Sequence, residues 1–385
     1  MSLPPLSLYA HLPWCVQKCP YCDFNSHGLK GTLPETTYVD ALLRDLDQDL
    51  PRVAGRTIET VFFGGGTPSL FSAAGIARFL DGVRARLPLA ADAEVTLEAN
   101  PGTVERGRFA EYRAAGVTRL SIGVQSFDER ALKVLGRIHS SHEAVIAAEE
   151  AHAAGLSNFN LDLMYALPGQ SLEGARDDIQ RAADLSPAHL SHYQLTLEPN
   201  TLFHAHPPVL PDEDTAWTMQ EDCQAALAAR GYGQYEISAY AQTGRECRHN
   251  LNYWRFGDYL GIGAGAHGKL TEASGRVTRL WKVKHPETYL KNAGRAESLG
   301  GVDEVGAADI AFEYMLNRLR LMQDFAEAEF ETATGLVRDL LSPGLARARS
   351  LGLMETTATG WRITTRGHAY LNDLQSAFLP VAADA

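Results

Sequence analysis

Short apolar runs alternate with amphipathic stretches over the first 200 residues. The apolar runs span 6–12, 57–63, 94–99, 119–124, 158–165 and 189–197. Helical patterns follow them, for example over 35–50 and 72–87 and in a stretch that ends at Asp184. Six strand–helix alternations predict a parallel sheet with helical crossovers, because parallel strands need long connections. They are too few for a closed eight-stranded barrel. We therefore predict an α/β fold built as an open (βα)6 partial TIM barrel.

The turns that follow these strands carry most of the unusual sequence. A cysteine-rich loop follows the first strand, and Gly64-Gly65-Gly66-Thr67-Pro68 follows the second. Asn100-Pro101-Gly102 follows the third strand and Leu167-Pro168-Gly169-Gln170 the fifth. In parallel barrels the chemistry lies on loops at the carboxyl ends of the strands. We expect these loops to meet at one face.

The alternation weakens after Pro199. A helix is predicted over 212–230 and a strand over 235–240, followed by a polar segment and a glycine-rich segment over 258–268. From about residue 303, three helices and a hairpin around Gly360 precede a last helix over 367–378, a pattern that resembles a winged helix. We predict three domains: a core over 1–200, an α/β extension over 201–300 and a small, mostly helical, winged-helix-like domain over 301–385.

Composition narrows the classes of function. The 385 residues are 45% hydrophobic and 21% charged, and 47 acidic against 35 basic side chains give a net charge of −12. This acidic balance gives no general reason to expect nucleic-acid binding. No run approaches the roughly 18 apolar residues of a membrane span, and no secretory signal pattern is present. We expect a cytoplasmic protein that does not insert into membranes. The sequence leaves peripheral docking and a homodimer open.

Three cysteines lie within eight residues of the loop after the first strand. Cys15, Cys19 and Cys22 are spaced C-x3-C-x2-C, and Phe24 follows where a fourth local thiol could stand. Three thiolates can hold three corners of a [4Fe–4S] cluster and leave one iron open. The alternatives are a zinc site with His11 or His27 as fourth ligand, and disulfides, which an odd count of five cysteines disfavours.

The cysteine loop, the Gly64–Pro68 turn and the six βα units together resemble the radical S-adenosylmethionine (SAM) superfamily. The resemblance implies that the amino and carboxylate groups of SAM chelate the open iron. It also implies that one electron cleaves the sulfonium to methionine and a 5′-deoxyadenosyl radical. A narrower resemblance, to the oxygen-independent coproporphyrinogen III oxidase group, is carried by the segments 11–15 (HLPWC), 98–101 (EANP), 123–127 (GVQSF), 135–137 (LGR) and 160–164 (NLDLM).

This resemblance implies roles for individual residues. Cys15, Cys19 and Cys22 would ligate the cluster. Tyr9 and Tyr21 would flank SAM with their aromatic faces. The methionine part of SAM would meet backbone and hydroxyl groups of Gly65, Gly66 and Thr67. Polar contacts to its ribose, amino or carboxylate groups would come from Glu98, Gln125, Arg137 and Asp162.

Two branches of this group differ in function. The oxidase is an enzyme whose motif continues to a further cysteine after an amino-terminal extension, whereas here Phe24 occupies that position and only fourteen residues precede Cys15. The heme chaperones carry H-N-x-x-Y-W, which matches residues 249–254. The resemblance therefore implies a heme chaperone that binds heme, a [4Fe–4S] cluster and SAM and transfers heme to acceptor proteins. The oxidase is the alternative, and a radical SAM enzyme that acts on heme is a third, so whether the chain is an enzyme stays open.

Two further segments bear on heme. His249 is the first candidate for an axial ligand of heme iron, since neutral imidazole is a standard one, and Cys247 is a candidate second contact. The glycine-rich stretch 261–268 lacks the strand–helix context of a dinucleotide fingerprint. We expect it to face the same SAM or porphyrin cavity, with His267 as the second candidate ligand.

Overall fold

The structure, a computed structural model, describes residues 3–53, 55–103 and 107–380. The strands are β1 Leu6–Leu12, β2 Trp14–Cys15, β3 His27–Gly28, β4 Ile58–Gly65, β5 Leu89–Ala99, β6 Arg119–Gln125, β7 Phe159–Tyr165, β8 His189–Gln194, β9 Gly233–Glu236, β10 Ala239–Ala241, β11 Asp258–Ile262, β12 His267–Thr271, β13 Val277–Lys282, β14 Leu299–Val305, β15 Met354–Thr356 and β16 Trp361–Ile363.

The helices are α1 Glu35–Val53, α2 Ala73–Arg84, α3 Arg108–Ala115, α4 Glu129–Val134, α5 Ser141–Ala153, α6 Leu172–Asp184, α7 Leu202–Ala205, α8 Glu213–Ala229, α9 Arg248–Trp254, α10 Pro286–Asn292, α11 Ala307–Arg318, α12 Glu327–Thr334, α13 Ser342–Ser350, α14 Thr365–Ala369 and α15 Leu371–Ser376. None of the described helices has both the length and the apolar character needed to cross a bilayer. The outermost residues of the predicted domains, and residues 104–106 of the helix predicted before Ala115, lie outside the described ranges.

Six strands form the parallel sheet that the sequence predicts. They lie in the order β1-β4-β5-β6-β7-β8, and every neighbouring pair is parallel. Nearly every residue of β1 and β7 is buried, which explains why these strands read as continuous apolar runs. The predicted α/β architecture with a partial barrel is confirmed. Its carboxyl strand ends place the loops after β1, β4, β5 and β7 at one face.

The sheet extends beyond both edges of this core. The hairpin β9–β10 adds antiparallel strands beside β8, and β11 adds a parallel strand beside β1, followed by antiparallel β12, β13 and β14. The single strand predicted over 235–240 is wrong, because the chain turns at Ile237-Ser238 between two short strands. The segment 258–268 is largely the β11–β12 hairpin. Residue 303 lies in β14, so the sheet continues past the predicted start of the last unit.

The carboxyl-terminal helices pack around a second apolar core. Tyr314, Met315, Phe330 and Leu374 are among its buried side chains. The predicted hairpin forms as β15–β16 with Trp361 opposite Thr356. The first of the three predicted helices is α11, which ends at Arg318, and the last predicted helix divides at Tyr370 into α14 and α15.

Candidate functional site

Two neighbouring cavities open at the carboxyl ends of the parallel strands. The smaller has a volume of about 380 Å³ and the larger about 770 Å³, and Phe24, Gly65 and Glu98 line both. The structure brings most of the predicted site residues to the smaller cavity: Cys15, Cys19, Tyr21, Cys22, Gly65, Gly66, Thr67, Glu98, Gln125, Arg137 and Asp162. Tyr9 lines the larger cavity. His249 lines neither.

The cysteine loop is closed by backbone hydrogen bonds to its own ends. The Leu29 amide donates to the carbonyl of Cys15 at 2.8 Å, the Cys22 amide donates to that of Cys19 at 3.2 Å, and short strands β2 and β3 pair in parallel. These bonds turn the three half-buried thiols toward one cavity. Burial raises the pKa of the Cys15 thiol, while a hydrogen bond with Thr67 opposes that shift.

The donor set of the loop suits an iron–sulfur cluster. In the described part of the chain, no three His, Cys, Asp or Glu side chains converge closely enough to hold one metal ion. The thiolates of a zinc site all lie about 2.3 Å from one centre, whereas those of a cubane bind separate irons. Arg137 donates to the Cys19 sulfur at 3.4 Å, and this positive charge suits an anionic thiolate ligand.

The Gly64–Pro68 turn wraps tightly around the base of the cysteine loop. The Gly66 amide donates to the Leu12 carbonyl and the Thr67 amide to the Trp14 carbonyl, both at 2.8 Å. A Cβ at Gly66 would lie 2.6 Å from the Trp14 oxygen and 2.8 Å from the Leu12 oxygen. Gly65 has φ +110, which side chains rarely adopt. Only glycines let the backbone approach the cavity this closely.

Gly66→Ala should therefore weaken SAM binding at least tenfold and lower the free energy of unfolding by about 1–3 kcal/mol. The added methyl meets backbone oxygens, which cannot rotate away. Isothermal titration with SAM and urea denaturation measure the two effects. Gly174→Ala on α6 is the matched control, since its Cβ would meet only ordinary contacts. Wild-type SAM affinity in Gly66→Ala would contradict this role of the turn.

Two carboxyl groups face the smaller cavity from neighbouring strand ends. Glu98 on β5 accepts a hydrogen bond from the Gly65 amide at 3.2 Å. Burial, reinforced by the charge of Asp162, raises the pKa of Glu98 to about 8. Asp162 on β7 accepts from Asn160 at 2.7 Å and from Ser121 at 3.2 Å, and burial raises its pKa as well. These oxygens are suited to hydroxyl or amino groups of a ligand.

Glu98→Gln should stabilise the chain by an amount that grows with pH. The folded-state pKa of about 8 lies above the ordinary value of 4.5, so the stability contributed by protonated Glu98 is lost as pH rises toward 8. The difference between variant and wild type should increase from pH 5 and level off above pH 8, at about 5 kcal/mol. Urea denaturation across this range measures it, with exposed Glu149→Gln on α5 as control. A difference that does not change with pH would contradict the raised pKa.

Cationic and amide side chains complete the wall of the smaller cavity. Arg137 donates to the Gly123 carbonyl at 2.7 Å, yet its buried Nε has no hydrogen-bond partner within the described residues. Gln125 accepts from the Tyr193 hydroxyl at 2.8 Å. Arg119 on β6 also lines this cavity, although no sequence pattern above predicts it. The sequence does contain a pattern that could have identified it. Residues at every second position of a strand share one face. Polar residues at such positions line this cavity: Arg119 and Ser121 on β6, Asn160 and Asp162 on β7, and Ser191 and Tyr193 on β8.

The two predicted SAM-flanking tyrosines lie apart. Tyr21 lines the smaller cavity and packs against Phe203, with ring centroids 6.3 Å apart. Tyr9 lines the larger cavity, and its hydroxyl lies 3.1 Å from Nδ1 of His11. A contact of Tyr21 with SAM is consistent with this placement. To contact Tyr9, SAM in the smaller cavity would have to extend past Gly65 and Glu98, which line both cavities.

The H-N-x-x-Y-W segment forms helix α9, whose first turn is held by Glu94. This carboxylate accepts from the amides of Arg248 at 3.2 Å and His249 at 3.0 Å, which satisfies helix-terminal donors. Asn250 lines the smaller cavity, whereas Tyr253 and Trp254 line the larger one. Helix α9 therefore lies between the two cavities.

His249 is not placed where a ligand in either cavity could reach it. Its side chain is 1% exposed, Nδ1 lies 2.7 Å from the Thr60 hydroxyl and Nε2 lies 3.0 Å from the Tyr253 hydroxyl. Burial, with the charge of Arg119, lowers its pKa to about 3, so the ring is neutral. Ligation of heme iron by His249 would require both hydrogen bonds to break or α9 to move. Cys247 is equally buried beside Glu94.

The glycine-rich turn between β11 and β12 does reach a cavity. Gly265 and His267 line the larger one, as do Tyr259 and Lys269 of the same hairpin. The Gly263 amide donates to Asp45 of α1 at 3.1 Å, and the Ala264 amide donates to the Tyr38 hydroxyl at 2.9 Å. Helix α1 thus fixes the turn from behind.

Comparison with known proteins shows the family of this chain. The model of the radical SAM superfamily matches residues 9–182. The curated heme chaperone HemW of Escherichia coli (strain K12) is 55% identical over 98% of this chain and 99% of its own length. The chain belongs to the HemW family of radical SAM proteins. HemW of Haemophilus influenzae is 50% identical, again over 98% of this chain and 99% of its own length.

A solved structure supports the fold of this HemW-family chain. Coproporphyrinogen III oxidase (HemN) from Escherichia coli, a radical SAM enzyme, superimposes with a TM-score of 0.83. The match covers 98% of this chain and 90% of that one, at 23% identity, and therefore shows the fold alone. The cofactors that the radical SAM family implies are a [4Fe–4S] cluster and SAM.

Proposed function

We propose that this protein is a heme chaperone that holds a [4Fe–4S] cluster, SAM and heme and passes the heme to acceptor proteins. The observation that carries the proposal is the 55% identity, over nearly the whole of both chains, with a protein named heme chaperone HemW. Two adjacent cavities at the functional face of the barrel agree with two separate ligands.

In this proposal the smaller cavity holds the cluster and SAM. Cys15, Cys19 and Cys22 are the thiolate ligands, and the bound cluster would supply one electron to the SAM sulfonium. Gly65, Gly66 and Thr67 offer backbone and hydroxyl groups at the base of the cavity. Four polar side chains surround the remaining space and orient the ligand, with the Arg137 fork suited to a carboxylate: Glu98, Gln125, Arg137 and Asp162.

The oxidase is the competing activity on the same fold. Phe24 stands where the oxidase motif continues with a cysteine, and its side chain is 61% exposed where the two cavities meet. An apolar ring there offers no fourth thiolate at the wall that the two cavities share. This arrangement favours a binding protein over the decarboxylase.

The partners and setting of the protein follow from the same proposal. We expect acceptor proteins for heme, a cytoplasmic location, no nucleic-acid ligand and no membrane insertion, and peripheral docking stays open. Self-association as a homodimer and the division at residues 200 and 300 stay predictions.

A heme-transfer assay tests the proposal. Anaerobically reconstituted protein should bind one equivalent of heme and pass it to apomyoglobin, used as a surrogate acceptor, as followed by the absorption of the product. The same preparation should leave coproporphyrinogen III unchanged in the presence of SAM and a reductant. Formation of the decarboxylated product, or failure to bind heme, would overturn the proposal.

A further inference from the structure

The larger cavity has aromatic walls and no assigned ligand. Its volume of about 770 Å³ is near the upper end of the range for small-molecule sites. Flat apolar faces of this kind suit a planar macrocycle. The aromatic side chains come from five different parts of the fold: Tyr9 on β1, Phe24 in the cysteine loop, Tyr253 and Trp254 on α9, Phe256 after it and Tyr259 on β11.

His267 is the histidine of this cavity that can offer a ring nitrogen to a ligand. It begins β12, is exposed, and its ring stacks on Trp281 with centroids 6.4 Å apart. Across the described residues, neither of its ring nitrogens makes a hydrogen bond. Partial burial, followed by the charges of Lys284 and Arg279, lowers its pKa, which favours the neutral ring that a metal ligand needs.

The other histidine of this cavity is committed elsewhere. His11 uses both ring nitrogens, one toward the Tyr9 hydroxyl at 3.1 Å and one toward the Asn25 carbonyl at 2.9 Å. His249, the ligand that the sequence motif suggests, is buried with both nitrogens bonded. A ligand entering the larger cavity meets His267 without breaking any of these hydrogen bonds.

Two lysines give the same cavity positive charge that is not neutralised. Lys18 and Lys284 are exposed and line it, and neither forms an ion pair within the described ranges. The remaining cations are engaged, since Arg279 pairs with Glu313 and Lys269 with Asp258. Asp23 and Glu98 are the acidic groups on the wall. Ammonium groups at a cavity mouth are suited to carboxylates of a ligand.

We propose that heme lies in the larger cavity, with His267 as its axial ligand and its propionates at Lys18 and Lys284. The inference rests on the proposed function and specifies its site. The cavity has a counterpart for each of the three parts of heme. Aromatic side chains face the flat apolar ring, His267 meets the iron, and two lysines meet the two carboxylates. Because Phe24, Gly65 and Glu98 also line the smaller cavity, heme at this site would lie directly beside the cluster and SAM.

A heme titration of the full chain tests the axial ligand. Relative to wild type, His267→Ala should shift the Soret band and weaken heme binding at least tenfold. His267→Met should retain heme with an altered Soret band, since a thioether replaces imidazole. His142→Ala on α5 is the matched control, an exposed histidine that lines neither cavity. His249→Ala should keep the wild-type band in its folded fraction, which near-ultraviolet circular dichroism quantifies.

The propionate contact is tested separately with heme and its dimethyl ester as probes. Lys284→Glu should weaken binding of heme about tenfold and leave binding of the ester unchanged. Lys133→Glu, at an exposed position of α4 away from both cavities, controls for net charge. Equal effects on heme and ester would remove Lys284 from the site.

The outcomes separate the site from the function. Wild-type protein that does not bind heme would overturn the proposed function. Wild-type protein that binds heme, together with His267→Ala that keeps the wild-type Soret band and affinity, would overturn the site and leave the function standing. Loss of the band in His249→Ala but not in His267→Ala would likewise assign the ligand to α9.

Discussion

Cys19→Ser should remove the iron–sulfur cluster and, with it, high-affinity SAM binding. The chain supplies three local thiols and Phe24 follows them, so two remaining thiolates would have to hold four irons. Cys19 also accepts a hydrogen bond from Arg137, so the substitution removes a sulfur that the cavity is arranged around. We expect at least a tenfold loss of iron per chain after anaerobic reconstitution. Iron and sulfide analysis and the visible absorption of the cluster measure it.

The control for this experiment is another cysteine. Cys223→Ala removes a buried thiol of α8 that lines neither cavity, and it should keep wild-type iron content. Iron that survives in Cys19→Ser would mean that a different group, such as His11 or His27, completes the site. Stoichiometric zinc in the aerobic and the anaerobic wild-type protein would favour the mononuclear alternative.

The parallel core was readable from sequence because its strands are buried on both faces. Leu8, Val61 and Leu161 sit in runs whose length and apolar character leave few other assignments. Strands β13 and β14 were missed for the opposite reason. Most of β14 is exposed, and its residues 303–304 (Asp-Glu) resemble a loop until β13 pairs with them. Edge strands of this kind are set by their partners rather than by local pattern.

Without the family resemblance, the site was predictable only where its residues are contiguous in sequence. The cysteine spacing and the Gly64–Pro68 turn are local, and the structure brings them to one cavity. The position of His249 depends on residues that are distant in the sequence. Thr60 on β4 hydrogen-bonds its ring, and Glu94 on β5 binds the first turn of its helix. Nothing in the H-N-x-x-Y-W segment itself reveals those partners. The division of the face into two cavities depends in the same way on helix α9.

A buried ionic network connects helix α1 with the β12–β13 hairpin, whose first residue is His267. Lys282 on β13 donates to Asp45 at 2.5 Å and to Asp49 at 2.7 Å, and all three side chains are fully buried. Asp45 also accepts from the Gly263 amide at 3.1 Å and from the Tyr289 hydroxyl at 2.7 Å. The backbone amide of Lys282 donates to the Ala266 carbonyl, one residue before His267. The network therefore fixes the turn at the wall of the larger cavity.

Lys282→Met should lower the free energy of unfolding by about 3–5 kcal/mol, because it leaves two carboxylates buried without their cation. Urea denaturation measures the loss. Adding Asp45→Asn and Asp49→Asn should recover most of it, since neutral groups of similar size keep the hydrogen bonds and no charge stays unpaired. Arg230→Met, which breaks an exposed ion pair with Asp184, should cost less than about 1 kcal/mol. A loss in Lys282→Met as small as this control would show that the network contributes little. If the triple variant regains stability but its heme-bound Soret band is shifted, the Asp45 carboxylate positions the turn before His267 as well as neutralising Lys282.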